Sequence, residues 1–161
     1  MTTAERMLTD EMIEQIKAFF PRYPSRQAVT LPALHIVNEH LRYVPPQAVV
    51  EVAELLELTP ADVQDTLSFY GFFKQDKPQG RKRIWVCRSI SCELRGSNEM
   101  LDHLRERLGV EPGETTPDGR VTLEIAECLG ACEHAPCMLA GDEMHPCLTK
   151  EMLDEYLDSL E

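Results

Sequence analysis

The sequence holds six cysteines, and four of them fall into two closely spaced pairs. Cys87 and Cys92 are separated by four residues, Cys128 and Cys132 by three, and 35 residues lie between the pairs. Thiolate sulfur is a soft ligand that selects zinc, copper(I) or iron–sulfur clusters. Structural zinc most often uses pairs with two intervening residues, so C-x(4)-C with C-x(3)-C is compatible with zinc without being its usual pattern. A 2Fe–2S cluster also takes four cysteines, one pair to each iron, and wider loops suit the larger object. Ser89, Ser91, Gly130 and Ala131, the small residues between the ligands, let backbone N–H groups approach the sulfurs. Spacing alone leaves three readings open: a cluster first, then a zinc site, then unrelated buried cysteines.

The other two cysteines read differently. Cys132 and Cys137 form a second C-x(4)-C and hence a rival ligand set. Yet Cys137, between Pro136 and Met138-Leu139, reads as an inward strand residue, where a free thiol behaves as a small hydrophobe. Cys147 reads as a partly exposed thiol, and His145 beside it is discounted as a ligand. His35 and His103 sit inside helical stretches and read as surface or core residues. There is no G-x-G-x-x-G, no G-x-x-x-x-G-K-[ST], and no histidine beside an obvious nucleophile, so no catalytic residue is assigned to this chain.

Elements must position these thiols. After Thr9-Asp10, Met12, Ile13, Ile16, Phe19 and Phe20 recur at helical spacing up to Pro21. Further helices are predicted over 30–42, from Pro46 through Leu56, and from Pro60 to Tyr70 behind the Thr59 cap. The aromatic run Phe69-Tyr70-Gly71-Phe72-Phe73 is expected mainly in the core, with an exposed docking patch as the other reading. From Lys74 to Gly80 the composition turns polar, like a linker. Beyond it the period switches to a strand at 83–86, a helix over 97–108 stopped by Gly109, and a strand over 121–126 after the Pro117-Asp118-Gly119 turn. A third strand at 136–140 opens a strand pair, and a helix over 149–160 closes the chain. Cys87 then ends the first of these strands and Cys128 the second. If the two strands are neighbours joined by the helix, a right-handed crossover puts both cysteine loops at one sheet edge, where four thiolates can converge.

The expected fold class is therefore α+β, with helical residues 1–78 followed by an α/β domain of thioredoxin size over 79–161. Sixteen Lys and Arg against 28 Asp and Glu give a net charge of −12, which argues against a nucleic-acid partner and allows a basic one. The short cluster Arg81-Lys82-Arg83 reads as a solvated strand entrance. No apolar run approaches the roughly 18 residues of a membrane span, and Met1–Asp10 lacks a basic region followed by an apolar stretch. Cytosolic placement is expected, with the cysteines reduced or ligating rather than disulfide-bonded.

Val86-Cys87 with Cys92, then Thr116-Pro117-Asp118-Gly119, then Cys128-Leu129-Gly130-Ala131-Cys132 followed by Ala135-Pro136, resemble the thioredoxin-like 2Fe–2S subunits of NADH:quinone oxidoreductase, respiratory complex I. Upstream, Pro45-Pro46, the helix through Leu56, and Thr59-Pro60 leading into Phe69-Tyr70 are similar to the helical N-terminal part of the same family. The resemblance implies a helical bundle before a thioredoxin-like 2Fe–2S domain, and one cluster on Cys87, Cys92, Cys128 and Cys132. It also implies a flavin-bearing, NADH-oxidising partner subunit that carries the FMN and NADH. That partner belongs to a larger respiratory complex, whose peripheral arm stands on the cytoplasmic face of a membrane without this chain inserting into it. Cys137, where the family leads one to expect an aliphatic residue, and Cys147 depart from the pattern.

Related small subunits occur in NAD-reducing hydrogenases and NAD-dependent formate dehydrogenases, and these are the alternative assemblies. Two alternatives from other classes are a free ferredoxin-like carrier, for which some 80 helical residues have no evident use, and a zinc-stabilised interaction module without redox chemistry. Around a cluster, Arg88 and Arg95 would favour the reduced state, and Glu93, Glu127 and Glu133 would oppose it.

Overall fold

The computed structural model describes residues 6–160, and threonine caps open three of its helices, at Thr9, Thr59 and Thr149. Residues 1–5, half of the stretch read for a leader, and residue 161 lie outside the described residues. The chain divides into two units, one ending at Pro78 and the other beginning at Gln79.

The first unit is helical. Helix α1 (Asp10–Lys17) starts at Thr9, whose hydroxyl accepts the Met12 N–H. Helices α2 (Thr30–Leu41), α3 (Pro46–Leu56) and α4 (Pro60–Phe69) follow. Pro46 and Pro60 stand in first turns, where a missing N–H costs nothing. At α4, Thr59 and Asp62 form a reciprocal capping box. Met12, Ile16, Val37, Val52, Leu56 and Leu67 are buried together, and each large aliphatic contributes roughly 1.5–3 kcal/mol by leaving water. Glu51 on α3 ties down the entry to α1. Burial works to raise its pKa, but the backbone N–H groups of Met7 and Leu8 donate to its carboxylate and bring the pKa below the ordinary value.

The aromatic run departs from the core expectation. Phe73 alone is buried, against the His35 ring at 5.0 Å, while Phe69 is 80% exposed and Tyr70 and Phe72 about half as much. The reason is local: α4 ends at Phe69, Tyr70 is extended, and the chain turns at Gly71 and Phe72, so helical spacing no longer decides which ring faces inward. His35 itself is exposed, as a surface residue of α2.

The second unit is a four-stranded mixed sheet with helices. Its elements are β1 (Lys82–Cys87), α5 (Ile90–Leu94), α6 (Ser97–Leu108), β2 (Val121–Ala126), β3 (Met138–Ala140), β4 (Glu143–His145) and α7 (Lys150–Ser159). The strand order is β2-β1-β3-β4. β1 and β2 are parallel neighbours with Cys87 opposite Ala126, and β1 and β3 are antiparallel with Val86 opposite Met138. Ile84, Val86, Leu104, Leu123, Met138 and Leu153 form the core. Between α6 and α7, the His103 Nε2 lies 2.7 Å from an Asp154 carboxylate oxygen, so this histidine serves packing.

The entrance to β1 is fastened to β2. The Gly80 N–H donates to the Thr122 hydroxyl at 2.6 Å, and a Cβ at Gly80 would lie 2.5 Å from the Val121 carbonyl carbon, closer than any side chain allows. Arg81 N–H donates to the Gly119 carbonyl, and the Arg120 guanidinium donates to the Leu160 carbonyl, so the turn before β2 clasps both the start of this unit and its last helix. Arg81 and Lys82 are exposed, as a solvated entrance requires, but Arg83 is buried. Its guanidinium donates to Glu124 on β2, also buried, and stacks 4.6 Å from the Trp85 ring. Strand alternation sets Arg83 with Trp85 on the face opposite Ile84 and Val86, and the carboxylate of Glu124 on the neighbouring strand meets it there.

Candidate metal centre

Parallel pairing of β1 and β2 delivers both cysteine pairs to the same end of the sheet. Cys87 is the last residue of β1 and is buried, and Cys92 lies buried on α5, a single-turn helix behind the Ser89-Ile90 corner. β2 stops at Ala126, the predicted bound, so Cys128 does not end the strand as expected but stands in the loop that follows. Cys132 opens a 3₁₀ turn, Cys132–His134. Both Cys128 and Cys132 are exposed.

The loops meet at sulfur. Burial works to raise the Cys87 pKa, but backbone N–H groups of Ser89 and Leu129 donate to its sulfur and bring the pKa below the ordinary value. Leu129 belongs to the Cys128 loop, so the second pair's backbone solvates the first pair's sulfur. Within that loop the Gly130 N–H donates to the Cys128 sulfur at 3.3 Å. Gly130 has φ +77°, a left-handed conformation for which glycine carries no steric penalty. Burial raises the Cys92 thiol pKa and pushes that of Cys137 up to about 12.

The three sulfurs of Cys87, Cys92 and Cys137 lie within 4.8 Å of one another, and Cys92 and Cys137 are 3.8 Å apart. Cys128 and Cys132 are not part of this group. Cys137 is fully buried, as an inward residue at the edge of β3, and its carbonyl accepts the Cys87 N–H. Cys147 is exposed, with φ +51°, and His145 packs its ring against Tyr156 at 4.7 Å.

Two site features escape the sequence reading. One is α5, too short for any periodicity. The other is the ion pair between Arg88, directly after Cys87, and Glu127, directly before Cys128. The β1–β2 register carries the signal for it, because continuing the pairing of Cys87 with Ala126 sets residue 88 opposite residue 127. As a set, the donors are thiols, with backbone N–H groups aimed at two of the sulfurs. That is the chemistry an anionic, sulfur-ligated group requires, and the residues fit an iron–sulfur cluster.

Comparison with known proteins points the same way. The family model of thioredoxin-like [2Fe-2S] ferredoxins matches residues 16–161. The chain is 42% identical over 148 residues to an NADH-quinone oxidoreductase subunit of Rhizobium meliloti (strain 1021), covering 92% of this chain and 88% of that one. It is 36% identical over 154 residues to NADH-quinone oxidoreductase subunit 2 of Thermus thermophilus, covering 94% and 84%. Among solved structures it is similar to NAD+-reducing [NiFe]-hydrogenase in the H2-reduced state, with a TM-score of 0.71 at 26% identity. That match covers 81% of this chain and 22% of the hydrogenase chain.

Proposed function

Since the chain belongs to the thioredoxin-like [2Fe-2S] ferredoxin family, we propose that it is the 2Fe–2S electron-transfer subunit of an NADH-quinone oxidoreductase, with Cys87, Cys92, Cys128 and Cys132 as the ligands. The observation that carries this reading is the parallel pairing of β1 and β2, with Cys87 opposite Ala126, which sets the loop of one pair beside the loop of the other. A 2Fe–2S cluster supplies a site that takes up and returns one electron at a time. Cys87 and Cys92, held by β1 and α5, would hold one side of it. Cys128 and Cys132 would close over the other.

The surrounding residues then set the charge felt at the site. The N–H groups of Ser89, Leu129 and Gly130 present partial positive charge to sulfur. Arg88 brings a full positive charge, but Glu127 is paired with it, so the two act as a dipole rather than as opposing independent charges. In this reading FMN and NADH reside on a flavin-bearing partner subunit, which exchanges electrons with this chain inside a larger respiratory complex. Among the described residues no helix is long and apolar enough to cross a membrane, in keeping with a place in a peripheral arm on the cytoplasmic face.

A second reading, the small diaphorase subunit of an NAD-reducing hydrogenase, draws on the hydrogenase likeness. Identity and coverage favour the quinone reductase. The deciding experiment is the iron, acid-labile sulfide and zinc content of anaerobically purified protein, with visible spectra before and after dithionite. Equal iron and sulfide, near two of each per chain, with bands that bleach on reduction are expected. Stoichiometric zinc without visible absorption would leave a non-redox module and overturn the reading.

A further inference from the structure

Cys137 belongs to none of the ligand pairs assigned above, yet its sulfur is in direct contact with that of Cys92. The antiparallel register of β1 and β3, carried one residue beyond Val86 and Met138, sets Cys137 opposite Cys87, and the Cys87 N–H donates to the Cys137 carbonyl at 3.1 Å. The turn of α5 then brings the Cys92 sulfur to 3.8 Å from that of Cys137. All three residues are buried, and all three sulfurs lie within 4.8 Å of one another.

One pair stands at the distance of two ligands on one ion, and the third sulfur is close enough for an ion to draw it in. With metal–thiolate bonds of about 2.3 Å, sulfurs sharing a metal stand about 3.8–4.0 Å apart, in tetrahedral or trigonal geometry. Among the described residues, no fourth histidine, cysteine or carboxylate joins the group. Its partly buried neighbours are the apolar Leu129 and Ala131. Zinc in structural sites demands four ligands. Copper(I), equally at home on soft sulfur, is satisfied by three.

We propose that the cluster-free chain binds one copper(I) ion on Cys87, Cys92 and Cys137. Loading exchanges thiol protons for the ion, and no electron moves because copper enters already reduced. The site shares Cys87 and Cys92 with the ligand set under Proposed function, so copper and cluster exclude each other. It rests on the three-sulfur geometry and not on the 2Fe–2S reading.

The test uses the full chain, freed of iron and kept reduced without oxygen, titrated with copper(I) against a chromophoric copper(I) chelator. One ion per chain is expected, with three sulfur neighbours by X-ray absorption. Cys137→Val should weaken binding by at least about a hundredfold, more than an outer-shell change costs, and leave two sulfurs. A Cys128→Ser, Cys132→Ser double variant should bind copper as the wild type does. Two or four sulfurs in the wild-type site, unchanged affinity in Cys137→Val, or loss of copper from the double variant would each overturn the proposal. The wild-type sulfur count holds even if a variant fails to fold. Iron and sulfide content of Cys137→Val is read separately and reports only on the cluster ligand set, so the two ideas can fail independently.

Discussion

The two cysteine pairs stand at the ends of neighbouring parallel strands, yet they are held in different ways. Cys87 and Cys92 are buried, one on the sheet and one on a helix, and their positions follow from the core beneath them. Cys128 and Cys132 ride on an exposed loop whose shape depends on Gly130, on N–H donors to sulfur and on the Arg88–Glu127 pair. In the proposed ligand set, one half is thus fixed by the core and the other by loop contacts alone, so the buried half would exist before any cluster does and the exposed half would be completed by the cluster it holds.

Substitutions can break or sharpen that contrast. The largest effect should come from below both loops: Glu124→Ala removes the buried carboxylate to which Arg83 donates, and breaking a buried pair costs about 3–5 kcal/mol. Urea unfolding should reveal that loss, with iron retention falling at both pairs alike. Next, Cys92→Ser and Cys132→Ser should both abolish stoichiometric iron. In the cluster-free chain, however, only Cys92→Ser should lower stability, by about 1–3 kcal/mol, because it buries a hydroxyl without a sure partner. Equal costs at the two positions would erase the distinction between the pairs.

Gly130→Ala has room for its methyl group but must hold a left-handed φ, so a cost of about 1 kcal/mol is expected. It should appear as faster iron release to a chelator. The smallest effects belong to the surface pair. Arg88→Gln leaves Glu127 uncompensated and should lower the midpoint potential, while Glu127→Gln should raise it, both readable by redox titration. Shifts of the same sign would show that neither charge is felt at the redox group.

Much of this architecture was readable from local signals. α3 and α6 have the predicted bounds because Pro46 and Gly109 punctuate them, and β2 runs over the predicted residues behind the turn in which Thr116 and the Arg120 N–H bind Asp118. What local signals missed depends on partners distant in sequence. Arg83 is buried because Glu124 lies on the adjacent strand, and the outward rings of Phe69, Tyr70 and Phe72 follow from where α4 stops. At the site, the paired spacing announced thiolate chemistry. It did not announce that a fifth cysteine, Cys137, sits on the buried pair, because no local pattern encodes the β1–β3 register.

The turn before β2, which clasps Arg81 on one side and Leu160 on the other, makes the second unit a nearly closed ring of chain. Its two ends can be joined by a short tether and the backbone reopened at an exposed loop that makes no ladder hydrogen bond, without cutting a strand pairing. Circular permutants of residues 79–160 attached to the helical unit at new points would keep both cysteine loops side by side while changing which sheet edge leads back to the helices. The site's position in the unit is thus a property of the sheet, independent of the direction from which the chain arrives.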